Sequence, residues 1–233
     1  MDRKNIHHPW NLSLKRAAAL QTELSKYVSL TPLKEEPRIV VGVDSAEWND
    51  IVFIAVVVMD AETGKVIQIT HAQSHARFGY IASYRVFREA PMILKAIKSI
   101  DYEPDLFFFA GHGVCHPRLC GMASHLGLWL EKPTIGCTET RLVGHWEEPG
   151  LARGDYSVIR YSPQAPGVVL RTRDGLNPVF VSPGHRVDLM GAIEQTLRFS
   201  TKFRIPEPLR RAHIEAGKDM RRHRDTQSAT ARQ

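Results

Sequence analysis

The chain has 233 residues, of which 43% are hydrophobic and 24% are charged. This mixture is typical of a globular protein and excludes a disordered or fibrous chain. The formal net charge of +6 is compatible with a polyanionic partner, although many enzymes carry a similar charge.

The cysteine count, the apolar runs and the N-terminal region predict the compartment. Three cysteines are an odd and small number, which argues against a disulfide framework and favours a reducing environment. The longest apolar run, residues 51–59, is too short for a membrane-spanning helix, which needs about 20 residues. The first 30 residues contain no long apolar stretch of the kind found in secretory signals. We therefore expect a cytoplasmic protein with no membrane association.

The hydrophobic pattern predicts a helix over residues 11–28, capped by Asn11 or Ser13. Three strands follow at 39–43, 51–59 and 65–70, with residues 44–50 as the first reversal. Farther along, the pattern predicts helices at 84–97, 121–130, 187–198 and 206–216 and strands at 106–109, 133–137, 168–173 and 179–181. This order indicates a single α/β domain over residues 1–216, with a mixed sheet and helices on both faces. Residues 217–233 are predicted to be a basic, disordered tail.

Two acidic residues stand near predicted elements. Asp44 directly follows an apolar strand, where open α/β sheets often place a ligand, although a turn-forming aspartate explains the position equally well. Glu89 lies on the second predicted helix and, taken alone, is an ordinary solvated carboxylate.

Residues 110–121 carry two histidines, two cysteines and three glycines directly after a buried strand. Their crowding in one short segment is a poor match to a zinc site, whose ligands usually come from two separated knuckles. The glycines instead favour a backbone that approaches a ligand closely and exposes its N–H groups. His185, near the start of a later helix, is a candidate general acid or base, or simply a histidine of a capping loop.

Short motifs extend over most of the chain. They are Val-Gly-Val-Asp at 41–44, Tyr-Ile at 80–81, Phe-Arg-Glu at 87–89, Pro-Asp-Leu at 104–106, Gly-His-Gly at 111–113, His-Pro-Arg at 116–118, Gly at 121 with Ala-Ser-His at 123–125, Pro-Thr-Ile-Gly at 133–136, Arg-Leu at 141–142, Ser-Pro-Gly-His at 182–185 and Arg-Ile-Pro-Glu-Pro at 204–208. Each motif is weak alone. Together, and in this order, they closely resemble the endonuclease V family over roughly residues 10–215.

The resemblance implies a ribonuclease H-like mixed β-sheet flanked by helices and a phosphodiesterase assisted by Mg²⁺, with Mn²⁺ as a possible substitute. It also implies recognition of a deaminated purine (inosine) in DNA or RNA, with a nick on the 3′ side of the lesion. In such enzymes carboxylates hold the metal beside the scissile phosphate. The altered base is turned out of the stack into a pocket, and a wedge loop fills the gap.

The resemblance also assigns roles to individual residues. Asp44, as a metal ligand, and Glu89 match the acidic residues of the family, and His185 matches its active-site histidine. Tyr80 matches the wedge aromatic, and the remaining wedge and base-pocket positions are Ile81, Ala82, Ser83, Arg85, Gly111, Gly113, His116, Gly121 and Leu142. We expect Asp44, Ala110 and His185 to converge at one end of the sheet, with Glu89 pointing into the same cleft.

Several positions depart from the family pattern. Ala110 stands where the family has a metal-binding aspartate, and Glu139 stands where it has a lysine. Ala82 and Ser83 replace Pro-Gly in the wedge, and Arg85 occupies a leucine-like position, bringing a large cation toward the pocket. With one of two main carboxylate ligands lost, we expect metal binding to be weakened.

Three functions are compatible with this pattern. The favoured one is a nucleic-acid-binding protein whose cleavage is weak or lost, because several departures together indicate natural divergence. The second is an active nuclease, either because Ala110 was engineered or because Glu139 or Glu47 replaces the lost ligand. The third is a non-catalytic subunit that recruits a protein partner. The basic residues between 201 and 225 are predicted either to contact phosphates or to be a solvated helix end.

Overall fold

The computed structural model describes residues 6–230, which form eight strands and five α-helices within that range. The strands are β1 Ile39–Trp48, β2 Ile51–Asp60, β3 Val66–His75, β4 Leu106–Ala110, β5 Thr134–Thr138, β6 Tyr156–Val158, β7 Val168–Leu170 and β8 Val179–His185. The helices are α1 Leu14–Ser25, α2 Arg85–Ile97, α3 Met122–Leu130, α4 Leu189–Phe199 and α5 Glu207–Thr230. Ser13 caps α1, as predicted, by accepting a hydrogen bond from the backbone N–H of Arg16.

All eight strands belong to one mixed sheet, in the order β3-β2-β1-β4-β5-β8-β7-β6. Strands β1, β4 and β5 are parallel to one another, and the remaining pairs are antiparallel. The predicted single α/β domain with a mixed sheet is confirmed. No helix within residues 6–230 has both the length and the apolar character needed to cross a bilayer.

The first reversal is shorter than predicted. Strand β1 pairs with β2 from Ile39 to Trp48, so the turn consists of Asn49 and Asp50 alone. Both turn residues have positive φ, 47° and 59°, which is the backbone of a tight two-residue hairpin. Asp44 therefore lies inside β1 and not at its end, and its neighbours alternate between the two faces of the sheet.

Helices cover both faces of the sheet, and strand alternation decides which core each side chain joins. Val43 and Phe109 pack with residues of α1, α2 and α3. Val40 and Phe108, each on the opposite face of the same strands, pack with α4 and the start of α5. The apolar strand β4 is thus buried on both faces, which explains its unbroken hydrophobic sequence.

The disordered tail predicted from residue 217 is wrong for residues 217–230, which continue α5. Ala212 packs on β2, the ring of His223 lies 5.3 Å from that of Phe53, and Asp219 pairs with His71 at 2.5 Å. This narrow line of contacts holds the helix against β2 and β3 although most of its surface is polar. Residues 231–233 lie outside the described range.

The start of α5 lies directly against β1 at Gly42. A Cβ at this position would lie 2.1 Å from both the carbonyl carbon and the carbonyl oxygen of Pro208. Only a residue without a side chain permits this approach, and the approach determines where the rest of α5 crosses the sheet.

We predict that Gly42→Ala lowers the free energy of unfolding by about 1–3 kcal/mol, the usual cost of overpacking a close contact. Urea denaturation measures this change. The matched control is Gly79→Ala, because a Cβ there meets no atom within 4 Å, and we expect its effect to stay within about 0.5 kcal/mol. Equal effects of the two substitutions would show that α5 does not depend on the close approach at Gly42.

Candidate functional site

Asp44 and Ala110 lie side by side at one end of the parallel strands. Val43 pairs with Phe109 in the β1–β4 ladder, which makes Asp44 and Ala110 the next residues along each strand. The Asp44 carboxylate accepts hydrogen bonds from the Ser45 backbone N–H at 2.7 Å and from His213 Nδ1 at 2.9 Å. The predicted neighbourhood of Asp44 and Ala110 is therefore found in the structure.

His185 does not join this cluster, so the prediction that it converges with Asp44 is wrong. Strand β8 is antiparallel to β5, and His185 pairs with Thr134, the first residue of β5, whereas Ala110 pairs with Cys137 near the end of β5. His185 therefore lies at the opposite end of the parallel strands. Its Nδ1 accepts a hydrogen bond from the Ser29 backbone N–H at 3.1 Å, and burial lowers its pKa to about 4.

The histidine beside Asp44 is His213, which the sequence analysis missed. It lies on α5, whose buried residues Leu209, Ala212 and Ala216 face the sheet, and it projects from the edge of that face. The hydrogen bond to Asp44 raises the pKa of His213 above its ordinary value of 6.5. No local motif marks this residue, and only the helical spacing of its buried neighbours indicates that it lies near the sheet.

Glu89 approaches the same strand ends from α2. Its carboxylate accepts hydrogen bonds from Arg85 Nε at 2.7 Å, from Arg85 Nη2 at 3.1 Å and from Ser45 Oγ at 3.0 Å. Arg85 Nη1 also donates to the Ala110 carbonyl oxygen at 3.2 Å. Attraction by Glu89 raises the pKa of the Arg85 guanidinium above its ordinary value. Arg85 thus connects the first turn of α2 to the end of β4.

The other acidic candidates are paired with basic side chains as well. Glu139 forms an ion pair with Arg204, and Glu47 forms one with Arg88. In both pairs the arginine is the more buried partner, with its side chain 25% exposed in Arg204 and 3% in Arg88. Neither glutamate is therefore placed as a free ligand beside Asp44.

A divalent metal needs carboxylate oxygens that face a common point. The Asp44 carboxylate is engaged by Ser45 and His213, and the Glu89 carboxylate by Arg85 and Ser45. Ala110 contributes only a carbonyl oxygen, which Arg85 occupies. Across residues 6–230, no three His, Cys, Asp or Glu side chains are grouped to hold a metal ion. The side chains present here do not fit a Mg²⁺ site.

A pocket opens next to the site formed by Asp44, Ala110 and Glu89. It contains eight of the ten residues predicted for the base pocket and wedge, namely Tyr80, Ala82, Ser83, Arg85, Gly111, His116, Gly121 and Leu142. The other two lie beside it: Ile81 is on the exposed rim, and Gly113 packs beneath the floor. Sequence reasoning missed Gln21, which also lines the pocket from α1.

Gly113 serves packing and not ligand binding, contrary to the prediction that the glycines expose their N–H groups. Its N–H donates to Ser182 Oγ at 2.8 Å, and a Cβ at this position would lie 1.9 Å from the Pro183 carbonyl oxygen. The N–H of Gly111 donates to the Cys137 carbonyl at 3.3 Å. These groups hold the segment after β4 against β5 and β8.

The rim of the pocket is a fixed loop that ends in the 3₁₀ turn Ala82–Tyr84. The Ser83 carbonyl accepts hydrogen bonds from His116 Nε2 at 2.9 Å, Arg118 Nη2 at 2.8 Å and Gln21 Nε2 at 3.3 Å. Burial lowers the pKa of His116 to about 3, so its ring is neutral at physiological pH. Tyr80, which precedes the 3₁₀ turn in the same loop, is 65% exposed.

Comparisons with known proteins find relatives over most of the chain. The sequence model of the endonuclease V family matches residues 22–214. The endonuclease V of Petrotoga mobilis is 41% identical over 207 residues, which cover 89% of this chain and 94% of that protein.

Solved structures show the same fold. The endonuclease V of Streptomyces avermitilis has a TM-score of 0.86 at 38% identity, over 92% of this chain and 96% of that one. The endonuclease V of Ciona intestinalis, crystallised with a 24mer DNA containing an inosine followed by a ribo-adenosine, shares the fold with a TM-score of 0.78 at 23% identity, over 90% and 98% of the two chains. The ribonuclease H-like architecture is thereby confirmed. The chain belongs to the endonuclease V family.

Proposed function

We propose that this protein binds DNA or RNA containing a deaminated purine, inosine, and that its metal-dependent nicking is weak or lost. The observation that carries the proposal is the arrangement at the strand ends, where Ala110 supplies no carboxylate and each nearby acid is paired with a basic side chain. The neighbouring pocket contains eight of the ten positions predicted for recognition, although Ala82, Ser83 and Arg85 among them depart from the family pattern. Recognition and cleavage are therefore separable in this chain.

Family membership supports the choice of nucleic acid as the partner. The Ciona protein binds DNA that contains inosine, and it shares this fold. The exposure of Tyr80 at the pocket rim supports a wedge role, in which its ring fills the space left when a base turns out of the stack into the pocket. The three free, buried cysteines support a cytoplasmic location.

The loss of cleavage follows from the chemistry that a divalent ion supplies. A bound Mg²⁺ or Mn²⁺ neutralises charge that develops on the scissile phosphate and activates a water molecule. Ala110 removes one carboxylate, and Arg85 engages the carboxylate of Glu89. Replacement of the lost ligand by Glu139 or Glu47 is not favoured, because Arg204 and Arg88 already pair with them.

We predict no detectable nicking of an inosine-containing oligonucleotide in Mg²⁺ or Mn²⁺, while the same oligonucleotide is retarded in a gel shift. Removal of one preorganised electrostatic group usually lowers a rate by about 10²–10³, and loss of the ion costs more. The Petrotoga enzyme, assayed in parallel, serves as the positive control. Robust nicking by the unaltered chain would establish the active-nuclease alternative, and absence of any gel shift would favour the protein-interaction alternative.

We further propose that the second half of α5 contacts phosphates. Arg221 and Arg224 lie on its exposed surface, at the end of the helix that also carries His213. Several neighbouring cations are paired with acidic residues on the same helix, such as Lys218 with Glu215 at 2.7 Å. Such exposed pairs are weak and leave the cations accessible to a polyanion.

We predict that Arg221→Gln combined with Arg224→Gln weakens binding to inosine-containing and plain oligonucleotides by the same factor. Each lost phosphate contact should reduce the slope of log K against log salt by about 0.9 on duplex DNA. Gel shifts at several salt concentrations measure both effects. The matched control is Lys15→Gln with Arg16→Gln, which removes the same charge from exposed positions on α1, across the sheet. Equal weakening by both pairs would show that α5 has no specific contact.

A further inference from the structure

Arg85 lies between the Glu89 carboxylate and the ends of strands β1 and β4. Its side chain is 27% exposed, whereas that of its partner Glu89 is 7% exposed. The two residues are four positions apart on α2, and Nε and Nη2 of the guanidinium each contact one oxygen of the carboxylate. A two-point contact of this kind fixes both the position and the plane of the guanidinium.

The other donors of Arg85 reach two strands. Nη1 donates to the Ala110 carbonyl at 3.2 Å, and Nη2 lies 3.4 Å from Ser45 Oγ. Asp44, next to Ser45 on β1, adds a further electrostatic attraction. The guanidinium is therefore held by α2, β1 and β4, the elements that carry Glu89, Asp44 and Ala110.

We infer that Arg85 is a tethered counter-ion that replaces the divalent metal in this site. The inference deepens the proposed function and rests on its claim that metal-dependent cleavage is weak or lost. An arginine keeps its charge at any physiological pH, so it neutralises Glu89 permanently. A divalent ion would have to displace the guanidinium from the same oxygens and remain beside its positive charge.

This arrangement makes positions 85 and 110 dependent on each other. An aspartate at 110 would extend beside Asp44 on the α5 face of the sheet. The positive charge of Arg85, which already acts on Asp44 across the strand ends, would still oppose a divalent ion there, so restoring the carboxylate alone does not create a metal site. Removing Arg85 alone frees the Glu89 oxygens but leaves Asp44 as the only carboxylate beside the Ala110 position at the ends of β1 and β4. Metal binding therefore requires both changes, and the gain is non-additive.

The test is a double-mutant cycle for Mn²⁺ binding, with Mn²⁺ alone as the probe. Free Mn²⁺ is measured by electron paramagnetic resonance for the unaltered protein, Arg85→Leu, Ala110→Asp and the double variant. We expect the double variant to bind Mn²⁺ at least tenfold more tightly than either single variant, and the unaltered chain to show no site. If Ala110→Asp alone binds as tightly as the double variant, Arg85 is not the counter-ion.

A matched control separates position from overall charge. Arg141 lines the same pocket, and Arg141→Leu with Ala110→Asp removes the same charge as the double variant. We expect this pair to bind Mn²⁺ no better than Ala110→Asp alone. An equal gain in the two pairs would overturn the inference, because any lost positive charge would then suffice.

The unaltered protein provides a measurement that does not depend on whether a variant folds. A ligand that binds the native state raises the unfolding temperature, so Mn²⁺ should leave that temperature unchanged. A rise that a chelator reverses would overturn the inference. Gel shifts in the presence of chelator test the proposed function separately. If the unaltered protein binds Mn²⁺ and still binds the oligonucleotide, only the counter-ion inference is refuted. If it does not bind Mn²⁺ and also fails to bind the oligonucleotide, only the proposed recognition of nucleic acid is refuted.

Discussion

The parallel hydrogen bonding between β1 and β4 determines where the two central positions of the candidate site, Asp44 and Ala110, lie. It brings Asp44 and Ala110 to the same end of the sheet, and strand alternation then turns Asp44 toward α5 and Ser45 toward α2. Gly42 lies on the same face of β1 as Asp44, and α5 approaches the strand closely at Gly42. The helix therefore passes Asp44. The backbone register therefore sets the positions from which these side chains act.

Charge compensation is the second feature of this region. Asp44, Glu89 and Glu139 contact His213, Arg85 and Arg204 respectively, each from a different element of the chain. Removing a carboxylate from water is unfavourable unless a cation or several hydrogen bonds replace the lost solvation. In this structure, the side chains of His213, Arg85 and Arg204 provide this compensation. The pairing also links the sheet to α2, to α5 and to the segment before α5.

Much of the fold was predictable because its signals are local. The apolar strand at 106–109, the amphipathic helix at 84–97 and the hairpin strands each carry a pattern that a short window displays. Strand β6 was missed because it has only three residues and forms one edge of the sheet. The end of α5 was missed because a narrow contact line stabilises a mostly polar helix.

The predictions that failed at the site have a different cause, because they depended on strand direction and on packing between distant segments. His185 follows a glycine motif that matches the family, but the antiparallel orientation of β8 carries it away from Asp44. His213 has no local motif, and the crossing of α5 over β1 brings it to the site. Asp44 and Ala110 were placed correctly because parallel strands align their carboxyl ends.

The anchoring of the pocket rim has a consequence for the kinetics of recognition. Three side chains from two separate segments converge on one carbonyl, that of Ser83, and the guanidinium of Arg118 also lies 4.0 Å from the centre of the Tyr84 ring. These contacts fix the C-terminal end of the loop that carries Tyr80. A preordered loop loses little conformational entropy on association. Under the proposed function, this anchoring lowers the entropic cost of bringing Tyr80 against a strand and therefore favours rapid association over a slow rearrangement of the loop.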